Sequence, residues 1–139
     1  MSILTQAPTD RAGKVLVVDD DPIVRRFIST VLGGAGFDVI EAPDAEQALV
    51  AFEAGGFAVD LVITDVKMPG MGGCELARML LAAHSTLAIL LVSGSHSESP
   101  AGLPFLQKPF TPPRLLEAIR WTLADRRQGP NDDRRWFRA

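Results

Sequence analysis

Several apolar runs in this chain break off at polar side chains able to do chemistry, and that alternation limits the fold more than any other feature. Val15 to Val18 stops at Asp19, Asp20 and Asp21, and Leu61 to Thr64 runs into Asp65. Leu87 to Val92 ends at Ser93, and a weaker segment, Phe105 to Gln107, ends at Lys108. Continuous apolar runs of this length, rich in β-branched residues, read as strands buried on both faces. Phe37 to Glu41 supplies one more short strand.

Helical patterns fill the intervals. After Pro22, which suits a first helical turn, Val24, Phe27, Ile28 and Val31 recur at helical spacing until Gly33, Gly34 and Gly36. Asp44 with Gln47 three residues on is a capping-box variant, opening a helix with the stripe Ala45, Ala48, Leu49 and Phe52 that Gly55 and Gly56 stop. A loop with Met68, Pro69, Gly70, Gly72 and Gly73 leads to a helix from about Cys74 to His84. Pro112 and Pro113 open the last helix, with a predicted inward stripe of Leu115, Leu116, Ile119 and Leu123. Steps of about 100° then place Trp121 nearly opposite, facing outward as a docking anchor for a partner or as cover for its neighbours.

Strands alternating with helices through short links predict an α/β, doubly wound parallel sheet. The length of 139 residues predicts one domain, over 14–125, with 1–13 a leader and 126–139 a C-terminal tail. At 47% apolar the chain excludes wholesale disorder. A net charge of −3 gives no support to a nucleic-acid binder driven by bulk charge. Five Arg and three Asp fall in 125–139, so the acid excess sits in the body. The single cysteine, Cys74, can close no intrachain disulfide and reads as a small residue at a helix start. No stretch nears the roughly 18 apolar residues of a membrane span. A cytoplasmic protein is expected.

In open parallel sheets ligands bind at the carboxyl ends of the strands. If the first and third strands are neighbours, as in the order 2-1-3-4-5, Asp19, Asp20 and Asp65 converge there. Two carboxylates ~4 Å apart repel by about 4 kcal/mol at an effective dielectric near 20, so three need counter-charge. Lys108 supplies one positive charge, and a hard divalent cation, Mg²⁺ above all, would supply the rest. This set suits phosphoryl transfer to a carboxylate. Asp65 is the candidate nucleophile because it stands alone at its strand end, whereas Asp19 and Asp20 are paired as metal ligands usually are.

The stretches Val-Leu-Val-Val-Asp-Asp-Asp-Pro (15–22), Asp-Leu-Val-Ile-Thr-Asp-Val-Lys-Met-Pro-Gly-Met-Gly-Gly (60–73), Leu-Val-Ser-Gly (91–94) and Phe-Leu-Gln-Lys-Pro-Phe (105–110) resemble, in this order, the response-regulator receiver domains of two-component signalling. The resemblance implies a CheY-like, flavodoxin-like sheet with Asp65 as phosphoacceptor. It also implies that Asp19, Asp20 and Asp65 hold Mg²⁺ together with the backbone carbonyl of Lys67. Ser93 would meet the phosphoryl group, Lys108 would be its cationic partner, Phe105 would be the switch aromatic, and the Lys108–Pro109 bond would be cis. Phosphate would come from a histidine kinase or histidine phosphotransfer protein. The chain is expected to be a stand-alone switch that acts on a separate partner protein, as a monomer or weak dimer, without nucleic acid or membrane, and no enzyme beyond catalysing its own phosphorylation and dephosphorylation.

The chain also departs from the family. A full helix usually separates the hydroxyl residue from the switch aromatic, but Gly94 to Pro104 holds two Gly, two Pro and three Ser, with Ala101 and Leu103 its only apolar residues. That helix is expected to be absent or reduced to a turn. Loop 94–104 is expected to be mobile until phosphate reaches Ser93, and the usual symmetric dimer is not expected.

Blander readings stand beside these. Asp19 to Asp21 could be a solvated helix start, Lys67 a solvated loop charge, and His84 and His96 surface residues. The segment Arg134, Arg135, Trp136, Phe137 and Arg138 could be a frayed terminus or a docking element. Two further functions compete: an unphosphorylated docking module on the same fold, and a phosphatase of the haloacid-dehalogenase type using Asp19 as nucleophile with Asp21.

Overall fold

A computed structural model describes residues 13–55, 58–95 and 102–126. Five strands, β1 (Gly13–Val18), β2 (Phe37–Ala42), β3 (Leu61–Asp65), β4 (Ala88–Ser93) and β5 (Phe105–Gln107), form one parallel sheet in the order β2-β1-β3-β4-β5. Four helices among the described residues, α1 (Pro22–Gly34), α2 (Ala45–Ala54), α3 (Gly73–Ala83) and α4 (Pro112–Arg126), cover it. β1, β3 and β4 lie inside the sheet, which is why they are apolar almost without a break.

Two cores follow from the alternation of side chains along each strand. On one face Leu16, Val18, Val62, Ile89, Leu91 and Phe105 pack against α2 and α3 through Ala48, Phe52, Leu76 and Leu80. On the other, Val15, Val17, Ile63, Leu90, Val92 and Leu106 pack against α1 and α4 through Ile28, Leu32, Leu115 and Ile119. Both polar helix entries work as the sequence implies. Asp21 caps α1 by accepting from the Ile23 amide at 2.9 Å, and Asp44 caps α2 by accepting from the Gln47 amide at 2.8 Å. At the far end of α1 the Gly36 amide turns back to the Gly33 carbonyl at 3.2 Å, and Gly36 takes the left-handed conformation (φ 97°) as the chain leaves the helix.

All four residues of the predicted α4 stripe reach the core, Leu116 and Leu123 at its edge, but the most deeply buried set is shifted around the helix. Its buried residues are Leu115, Ala118, Ile119 and Thr122, while Leu116 and Leu123 are half-buried. Thr122 enters the core because its hydroxyl donates to the Ala118 carbonyl at 2.7 Å within the helix. The buried face is thereby rotated toward Trp121, which lies on a flank and is half-buried rather than outward. His84 also departs from the expected surface position: it is half-buried, its ring 6.3 Å from that of Phe52 in an edge-on contact. Its place as the residue closing α3 turns it toward the α2 core.

Among the described residues no α-helix lies between β4 and β5. Residues 96–101, on which most of the expected loop and His96 fall, lie outside the described residues, as do 127–139. No helix among the described residues is long and apolar enough to cross a membrane.

Candidate functional site

The carboxyl ends of β1, β3, β4 and β5 meet at one edge of the sheet. Parallel pairing of β1 with β3 sets Val18 beside Thr64, so Asp19 and Asp65 emerge next to each other. Pairing of β4 with β5 sets Ser93 beside Gln107, and the Lys108 amide then donates to the Ser93 carbonyl at 2.9 Å. Asp19, Asp20 and Asp65 each offer a carboxylate oxygen, all within 4.8 Å of one another. Lys108 Nζ lies 3.2 Å from Asp19 Oδ2 and 3.4 Å from Asp65 Oδ1. The Lys108–Pro109 bond is cis, as the resemblance implies.

Burial makes this cluster costly. Asp19 is 0% exposed and Asp65 8%, whereas Asp20 opens to solvent. Desolvation, followed by the neighbouring carboxylates of Asp19 and Asp20, pushes the Asp65 carboxyl above its ordinary range, and Lys108 opposes the shift. Three negative charges face one ammonium group. The hard oxygen donors and the uncompensated charge together suit a divalent cation such as Mg²⁺ better than a soft metal.

The three consecutive acids after β1 divide their work. Asp19 turns inward, Asp20 borders the pocket, and Asp21 turns away to cap α1, so the helix-start reading holds for Asp21. The Asp21 amide returns a hydrogen bond to Asp19 Oδ1 at 2.9 Å. Beyond β3 the loop folds back tightly: the Gly73 amide donates to the Val66 carbonyl at 2.9 Å. A Cβ on Gly73 would run into the Asp65 carbonyl oxygen, so only glycine lets α3 start this close to Asp65. Cys74, next in line, is half-buried, and burial pushes its thiol up.

Ser93 is buried, its hydroxyl 3.2 Å from that of Ser95 and accepting from the Ser95 amide at 3.2 Å. Phe105 is fully buried on the α2 and α3 side of the sheet, with Leu103 packed against the same cluster. The Lys67 side chain is exposed. Trp121, on α4, belongs to a different part of the molecule. Two groups at the site carry no signal in the sequence reading: Arg25 donates from Nη1 to the Asp19 carbonyl at 2.7 Å and from Nε to Glu41 Oε1 at 3.1 Å. The available hint was a cation in the first turns of α1 and an acid at the end of a mostly apolar strand.

Residues 15–120 match the response regulator receiver domain family, and the chain belongs to that family. The C4-dicarboxylate transport transcriptional regulatory protein DctD of Pseudomonas aeruginosa is 35% identical over 129 residues, which cover 87% of this chain and 27% of DctD. The transcriptional regulatory protein FixJ of Bradyrhizobium diazoefficiens is 35% identical over 115 residues, covering 77% of this chain and 55% of FixJ. The chain therefore spans between about a quarter and just over half the length of these relatives. Among solved structures, a response regulator receiver domain protein from Clostridium thermocellum matches with a TM-score of 0.75 at 27% identity, over 84% of this chain and 98% of that one. The chemotaxis protein CheY4 of Vibrio cholerae matches with a TM-score of 0.72 at 30% identity, over 79% and 98%. Membership implies phosphorylation on an aspartate in two-component signalling, and the phosphatase reading falls away.

Proposed function

We propose that Asp65 is the phosphoacceptor of a Mg²⁺-dependent switch, charged by a histidine kinase or histidine phosphotransfer protein. The observation that carries this reading is the convergence of Asp19, Asp20, Asp65 and Lys108 on one buried edge. An Asp65 oxygen attacks the phosphorus of a phosphohistidine in line. The new O–P bond forms as the P–N bond breaks, and the electron pair returns to the imidazole nitrogen. Lys108 neutralises charge on the incoming phosphoryl oxygens and on the nucleophile's neighbours. Asp19, Asp20 and Asp65, with the Lys67 carbonyl, would hold Mg²⁺, which supplies further charge neutralisation at those oxygens. The Ser93 hydroxyl then leaves Ser95 for the phosphoryl group, and Phe105 responds behind it. The chain is thus a substrate of phosphoryl transfer that signals to a partner protein, in the cytoplasm.

The phosphodonor is best accommodated at the mouth of the site rather than at Trp121. Ile23 is 79% and Phe27 39% exposed on α1, and the Phe27 ring lies 6.1 Å from that of Phe110. Pro109, Phe110, Thr111 and Arg114 line a cavity of about 380 Å³ on the same side. Exposed apolar groups beside a reactive carboxylate offer a protein donor a surface to bury.

Incubation with acetyl phosphate and Mg²⁺, read by intact mass, tests the chemistry. One added phosphoryl group, absent in Asp65→Asn and absent with chelator, is expected. A phosphoryl group that persists in Asp65→Asn would overturn the assignment.

A further inference from the structure

We infer that Arg25 is a positioning residue for metal binding, acting with Glu41 as a strut that fixes Asp19. This rests on the reading of Asp19 as a ligand. The Asp19 peptide is gripped on both sides: its amide donates to the Ala42 carbonyl at 3.2 Å, and its carbonyl accepts from Arg25 Nη1 at 2.7 Å. The short second contact is a charge-assisted hydrogen bond in a partly buried setting.

Arg25 cannot hold this pose alone, because an arginine side chain has several free rotations to lose. Glu41, on the neighbouring strand β2, accepts from Arg25 Nε at 3.1 Å and so fixes the guanidinium plane. Arg26 reaches Glu41 Oε2 only at 3.6 Å and is itself largely exposed, so it steadies the acid without touching Asp19. The guanidinium thus ties the start of α1, the end of β1 and the end of β2 into one unit. That unit determines where the fully buried Asp19 carboxylate points. Groups that orient a metal ligand are worth about 10- to 100-fold in metal affinity when removed.

The test is the Mg²⁺ affinity of the whole chain by titration calorimetry, with folding checked by circular dichroism. Arg25→Ala is expected to weaken Mg²⁺ binding about tenfold or more. Arg25→Lys, which keeps a donor but loses the fork, and Glu41→Gln, which keeps a neutral acceptor for Nε, should fall between it and the wild type. Arg26→Ala should stay within about twofold, since Arg26 makes no contact with Asp19. At saturating Mg²⁺ the acetyl phosphate reaction of Arg25→Ala should recover most of its rate, because the chemistry at Asp65 is untouched. A folded Arg25→Ala that binds Mg²⁺ as tightly as the wild type would overturn the inference. Should that variant fail to fold, wild-type affinity in both Arg25→Lys and Glu41→Gln would do the same. Failure of the wild type itself to bind Mg²⁺ would instead bring down the metal reading on which the inference rests.

Discussion

Asp19, at the end of β1, is held from four directions, whereas Ser93, at the end of β4, has its hydroxyl engaged by Ser95 two positions along the same segment. The grip on Asp19 comes from Ala42 at the end of β2, Arg25 in α1, Lys108 just past β5, and Asp21 two residues along. The Ser93 hydroxyl is in contact with Ser95, two positions along the same segment. One corner of the pocket is therefore preorganised at the expense of long-range contacts, and the other is arranged so that a short segment can let go. For a switch this division is physically sensible. On the proposed function, the corner that would hold the ion must keep its geometry during transfer, while the hydroxyl corner would change partner once phosphate arrives.

Lys108 joins the two corners, and its loss is the harshest way to break the contrast. Lys108→Met should lower the rate of phosphorylation by acetyl phosphate about 100-fold, because a preorganised cation is lost from the transferring oxygens. A loss under about threefold, measured by the same mass assay, would mean that the ammonium group serves only to hold Asp19 and Asp65 together.

The hydroxyl corner is probed by two neighbouring substitutions. Ser93→Ala should slow phosphorylation about tenfold, the worth of one hydrogen bond to a charged group. Ser95→Ala should stay within about twofold of wild type, since it removes one contact to the Ser93 hydroxyl and leaves the hydroxyl itself in place. Equal losses in the two variants would show that the hydroxyl corner is as firmly prebuilt as the metal corner.

The smallest effect concerns stability. Burial and like charges raise the Asp65 carboxyl above the value of 3.8 that it has in an unfolded chain, so ionised Asp65 opposes folding. The opposition is full above the raised value and vanishes below about 3.8, where the group is protonated in both states. Asp65→Asn should therefore raise the urea midpoint of the metal-free protein near neutral pH, with the gain shrinking as the pH falls. A gain that grows toward acid would contradict the cause assigned to the shift.

Much of the fold is legible in the residues because it depends on local rules. The apolar runs around Val17, Ile63 and Leu90 demand burial on both faces, Asp44 with Gln47 opens a helix, and the polar residues at the strand ends share one edge in any parallel sheet. The stripe of α4 was less legible. Leu116 and Leu123 are as apolar as Leu115, and burying Ala118 and Thr122 more deeply than either depends on the shape of the sheet and on a hydroxyl satisfied inside the helix. The same shift brings Trp121 from the expected outward side to the flank of the helix.

The chain by itself determined which chemical groups gather at the pocket: carboxylates after β1 and β3, a hydroxyl after β4 and an amine after β5. Period and spacing bring each strand's terminal side chain to the same edge of a parallel sheet; which of them meet is then set by the strand order. Only the tertiary structure decided how the groups are held. Asp21 was drawn off to cap α1, Arg25 and Glu41 were recruited from α1 and β2 to grip Asp19, and Gly73 was pressed against the Asp65 carbonyl. Those contacts join residues that no sequence periodicity relates, so they exist only once the strands have paired and the helices have packed.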